Sequence, residues 1–103
     1  MQLKSNIPIS KIDCYIHFAV KAGKVIWGID NLIKTRKKIT IILFDETIGQ
    51  NSKKELDRYI QQKQTKALPL PGDYLNKLLH RENVKVLAIT DSSLGGAILN
   101  YCE

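Results

Sequence analysis

The run "ITIILF" at residues 39–44 decides the architecture. A strand with one face in water alternates apolar and polar side chains. A strand covered on both sides reads instead as a nearly unbroken apolar, β-branched run. Helices are therefore expected on both faces of this strand, and the flanking sequence supplies them. Upstream, "KVIW" (24–27) predicts a short strand set between two helices. The first covers 9–22, with Ile9, Ile12, Ile16, Ala19 and Val20 at helical spacing and Gly23 as its stop. The second covers 29–37, released by Gly28, with Ile29, Leu32 and Ile33 facing inward.

Downstream the alternation continues. A helix over about 51–63 carries Leu56, Tyr59 and Ile60, with Asn51 or Ser52 as its cap. "KALPL" (66–70) predicts a strand whose Pro69 places it at a sheet edge. A helix starts near Pro71–Gly72 with Tyr74, Leu75, Leu78 and Leu79. "VKVLAIT" (84–90) is the fourth strand, and the loop "DSSLGG" leads to a helix ending at Tyr101. No repeat, low-complexity tract or linker interrupts residues 1–103, so one α/β domain is expected, a helix–sheet–helix sandwich.

With 103 residues and 44% hydrophobic content, the chain can bury a core without disulfide or metal staples. No apolar run approaches the roughly 20 residues that span a bilayer. The opening "MQLKSNIPISKIDCY" lacks a signal-peptide core, and two cysteines do not make a secreted scaffold, so a cytoplasmic protein is expected. The net charge of +6 lies wholly in residues 1–38, where eight basic side chains face only Asp13 and Asp30. Residues 39–103 sum to zero. Such a concentrated field attracts polyanions, although a basic surface also serves solubility.

Few residues promise chemistry. Neither GxGxxG nor GxxxxGK[ST] occurs, and no cofactor is expected. Cys14 and His17 are spaced as two metal ligands could be, but His80 and Cys102 lie in other elements. Cys14 is expected as a small core residue and His17 as a surface or internally satisfied one, with no metal site. Asp45, Glu46 and Asp91 follow apolar strands, where carboxylates can hold magnesium or accept a phosphoryl group. No partner lysine or DxDx[TV]-like motif accompanies them, so they are expected as helix caps. Ser92 and Ser93 have no GxSxG elbow, and the following Gly95 and Gly96 suggest a mobile approach to the last helix.

The stretch "KAGKVIWGIDNLIK" (21–34) holds three lysines, two glycines and a tryptophan. Gly28 permits a tight exit from the strand, and the first-turn N–H groups of the next helix favour an anion. Asp30 can accept from guanine N1–H and N2–H, and Asn31 can both donate and accept. Lys24, Lys34, Lys37 and Lys38 surround them as phosphate contacts. The alternative is an ordinary first turn beside a solvated basic face.

These residues resemble the signature of the ribosomal L-seven-Ae and L-thirty-e group of kink-turn RNA-binding proteins, and more closely that of its small bacterial relatives. Those pair an alanine- or serine-glycine-lysine opening with G-x-(N/E)-E-x-x-K. The likeness continues through "NSKKELDRY" and "VLAITDSSLGGAIL", from about Ile9 to Leu99. It implies a three-layer α-β-α sandwich around a mixed four-stranded sheet, and recognition of sharply bent RNA. By position, the grip on sheared G·A pairs falls to Gly28, Asp30, Asn31 and Lys34, and packing on exposed bases to Ile89, Thr90, Asp91, Ser92 and Ser93. The chain departs from the pattern where Asp30 precedes Asn31, exchanging acid and amide, and where "YLNKLLH" lacks the usual leucine-glycine pair. The expectation is non-catalytic binding of structured RNA, with ribosomal RNA as a candidate, no small-molecule substrate and no membrane. The alternatives are a protein-interaction module on the same fold and, more distantly, a magnesium-dependent enzyme.

Overall fold

The structure, a computed structural model, describes residues 9–102. The side chains of Ile9 to Lys11 and of Tyr101 and Cys102 are not among those described, so the inward Ile9 and the Cys102 thiol considered above fall outside it, as does Lys4. The elements run α1 (Ile9–Lys21), β1 (Val25–Trp27), α2 (Gly28–Lys34), β2 (Ile41–Asp45), α3 (Gln50–Lys63), β3 (Lys66–Leu70), α4 (Tyr74–Leu79), β4 (Val86–Ile89) and α5 (Ser92–Cys102). No described helix is long and apolar enough to cross a membrane.

The strands are ordered β1-β4-β2-β3. β4 is antiparallel to both β1 and β2, while β2 and β3 are parallel, so the sheet is mixed. β2 is buried at every position, as its apolar run requires. Alternate residues feed two cores. Ile41, Leu43, Leu68, Leu70, Leu87 and Ile89 meet α1, α4 and α5 through Ile12, Ile16, Ala19, Leu75 and Ile98. Ile42, Phe44, Ala67, Val86 and Ala88 meet α2 and α3 through Leu32, Leu56 and Ile60. The result is a three-layer α-β-α sandwich.

The register gives the sheet two ends. Val25, Ile41, Lys66 and Ile89 lie together at one, here called the lower end. Trp27, Phe44, Asp45, Leu70 and Val86 lie toward the upper end. α2 begins at the upper end and descends, and α5 begins at the lower.

Local chemistry explains the boundaries. Gly23 (φ 69°) closes α1 with paired bonds, its own N–H to Val20 O at 3.1 Å and Lys24 N–H to Ala19 O at 2.9 Å. That is the left-handed helix stop only glycine adopts freely. α2 is shorter than expected and ends at Lys34. Thr35 turns extended, and its hydroxyl accepts the Lys37 N–H at 3.2 Å, a local bond that competes with helix. Ile33 is consequently 50% exposed at the overhanging end of α2. α3 is capped by Gly49, not by Asn51 or Ser52, with no side-chain bond. Pro69 does sit on an edge strand. Cys14 is exposed, because Ile12, Ile16 and Ala19 turn the opposite face of α1 to the sheet.

Candidate nucleic-acid interface

At the upper end β1 passes into α2 at Gly28, whose φ of 82° lets the chain turn without a residue between strand and helix. The turn forms one wall of a groove of about 380 Å³. Gly28, Asp30 and Asn31 face Gly49 and Ser52 on one side and Asn83 and Lys85 on the other. Asp30 and Asn31 are exposed. The Asn31 amide donates to Trp27 O at 2.8 Å, which fixes its orientation and commits one of its donors to the protein. Arg81 lies over the Trp27 ring, 4.2 Å from its centre, a cation–π contact that steadies the same corner. With only seven residues, α2 has little dipole to offer, and Asp30 in its first turn competes with any anion. What the groove presents is hydrogen-bonding edges.

The loop expected to complement this grip lies elsewhere. β1 and β4 are antiparallel, so Thr90 sits beside Lys24, with its N–H on Lys24 O at 2.9 Å, at the lower end. Ile89 is fully buried in β4 and offers no surface. Asp91 caps α5, its Oδ1 accepting from Ser93 N–H at 2.8 Å and Leu94 N–H at 2.9 Å. Ser92 and Ser93 are exposed in the first turn of α5, and "SSLGG" is helical throughout, not a loop. The segment that does face the α2 start is the connection before β4. Its Asn83 and Lys85 carry the only local hints, an amide and a cation in "RENVK".

The lysines also go to the lower end. Lys24 precedes β1, Lys34 ends α2, and Lys37 and Lys38 follow it, all exposed. They share that end with Thr90–Ser93, although Lys34 lies only one turn below Asp30, about 6 Å at 1.5 Å per residue. The sequence placed base-reading and phosphate-holding residues in one stretch. The fold keeps Lys34 one turn from Asp30 and sets Lys24, Lys37 and Lys38 at the far end.

The carboxylates have structural partners. Asp45 is 1% exposed. Its Oδ1 accepts from the Thr47 N–H at 2.7 Å and the Thr47 hydroxyl, and its Oδ2 from the Asp73 N–H at 2.9 Å, with Lys85 Nζ 3.6 Å away. The partner lysine that the sequence did not reveal is thus Lys85, 40 positions along the chain. Burial alone would push the Asp45 carboxyl up, but the Thr47 and Asp73 donors and the Lys85 ammonium hold it below its ordinary range. It braces three upper connections and is not a helix cap. His17 is exposed as expected, and no three metal-ligating side chains cluster among the described residues.

No protein-family model matches the sequence, and no curated protein matches it. Among solved structures, the chain is similar to a protein with unknown function from Bacillus halodurans C. The match has a TM-score of 0.79 at 15% identity and covers 89% of this chain and 96% of that one. At that identity the likeness speaks for the fold alone.

Proposed function

We propose that this protein binds structured RNA without chemistry, acting in the cytoplasm with ribosomes or another ribonucleoprotein. The observation that carries the proposal is the upper groove, where exposed Asp30 and Asn31 lie beside the pre-β4 connection with Asn83 and Lys85. A carboxylate and an amide in a shallow groove suit base edges of a splayed or sheared pair, since RNA is read where its bases are accessible. Lys24, Lys34, Lys37 and Lys38 then supply sequence-independent attraction for the backbone as it leaves the groove. The resemblance of residues 21–34 to kink-turn binders supports the same choice. Asp45 adds no support for an enzyme, because both of its oxygens already serve protein donors.

A second reading, a protein-interaction module, draws on the 50% exposed Ile33, which lines a depression with Tyr59, Arg58 and Gln62 of α3. Calorimetry with a kink-turn RNA and an equal-length duplex separates the two. RNA recognition predicts tighter binding of the kinked molecule. Equal or undetectable binding of both leaves the interaction module.

A further inference from the structure

The lower end holds a second concavity that neither the groove nor the resemblance uses. It measures about 650 Å³, opening between the 35–40 connection and the corner where α3 passes into β3. Arg36, Lys37 and Lys38 form one wall, Lys63 and Lys66 the other, with Tyr59 between them. No aspartate or glutamate lines it among the described residues.

The fold imposes this convergence. The α2–β2 connection returns the chain to the start of β2, and parallel pairing sets Lys66 opposite Ile41. α3 delivers Lys63 in its last turn, immediately before Gln64 adopts φ 52° and ends the helix. The C-terminal carbonyls of α3 would oppose an anion, yet Ile60 O already accepts from Gln64 N–H and, at 3.3 Å, from Thr65 N–H. The three consecutive cations come from one segment, while Lys63 and Lys66 come from sequence that is electrically neutral overall. The bias of residues 1–38 alone therefore does not produce the cleft.

We propose that this cleft is a distinct site for two or more adjacent phosphate groups, as a nucleic-acid strand or a free polyphosphate chain presents them. A single phosphate can engage two or three cations at once. Five cations on facing walls match a ligand that repeats its charge along its length. The volume falls within the range of nucleotide-sized sites. The cleft shares Lys37 and Lys38 with the proposed backbone contacts but no residue with the groove, so it stands or falls separately from recognition of bent bases.

The test is an amide NMR titration of the intact protein with inorganic phosphate, inorganic tripolyphosphate and a short oligouridylate. Tripolyphosphate and oligouridylate should shift the amides of Thr35–Thr40 and Gln64–Lys66 and leave Gly28–Asn31 unmoved. Phosphate should bind far more weakly. Tighter binding of oligouridylate assigns the cleft to an RNA strand, and tighter binding of tripolyphosphate assigns it to a free polyphosphate. The paired change Lys37→Glu with Lys63→Glu should weaken either ligand by about tenfold or more, whereas Lys54→Glu, an exposed reversal elsewhere, changes it less than about twofold. Shifts spread over every lysine-bearing surface, equal binding of phosphate, or equal effects of Lys54→Glu and the paired change would each overturn the proposal. Preference for kinked RNA persisting alongside such a result would sink the cleft alone.

Discussion

A carboxylate buried at the end of a strand is costly unless its lone pairs are engaged, and Asp45 is engaged on both oxygens. Asp45→Ala would leave Thr47 and Asp73 without their acceptor, and the expected loss is about 1–3 kcal/mol in urea unfolding at neutral pH. The sign with pH follows from its lowered pKa. The stabilisation is full above the unfolded carboxylate value of about 3.9 and is lost as pH falls through the lower folded value. Stability should thus decline with acid more steeply in the wild type than in Asp45→Asn. Equal acid slopes would contradict the brace. Asp91 was legible as a cap because its partners, Ser93 and Leu94, are adjacent in sequence. The role of Asp45 was not, since Asp73 and Lys85 are brought to it only by the parallel β2–β3 pair and by β4.

Among the elements, α5 shows how propensity misleads. Two adjacent glycines suggest a loose helix start, yet they have different roles. A Cβ on Gly95 would lie 2.3 Å from Thr40 Cγ2 and 2.6 Å from Thr40 Cβ, so glycine there lets α5 approach the lower end of β2. A Cβ on Gly96 meets nothing within 4 Å. Gly95→Ala is therefore expected to destabilise by about 1–3 kcal/mol, because Thr40 is branched at the clashing carbon and cannot swing aside. Gly96→Ala should stabilise by about 0.5–1 kcal/mol through helix propensity. Thermal unfolding of the two variants decides it, and shifts of the same sign would contradict the packing. All nine elements announced themselves through apolar spacing, β3 to the residue and most others within three, while α5 begins five residues earlier than expected, at Ser92. Strand order did not, because a three-residue β1 carries no mark of its partner. That pairing decides which connection stands beside the start of α2. Only the antiparallel β1–β4 pairing reveals that Asn83 and Lys85, rather than Thr90–Ser93, face the start of α2.

At the scale of the whole molecule, Asp30, Asn31 and Asn83 gather at the upper end beside Lys85, while Lys24, Lys37 and Lys38 lie at the lower, separated by a sheet about 16 Å long at 3.3 Å per residue. An RNA engaging both must run a few nucleotides of strand down the side of α2. If Lys24, Lys34, Lys37 and Lys38 neutralise phosphates, affinity should fall with salt at a log–log slope of about −3 to −4. A flat dependence would remove the backbone contacts. The division of labour is tested most directly by calorimetry of Asp30→Ala and Lys34→Ala on a kink-turn RNA and an equal-length duplex, with circular dichroism verifying the fold. Asp30→Ala should lose about 1–3 kcal/mol of the preference for the kinked RNA. Lys34→Ala should weaken both complexes, lower the salt slope by about 1 and leave the preference nearly unchanged. A preference that survives Asp30→Ala intact, or collapses in Lys34→Ala, would contradict recognition by the upper groove.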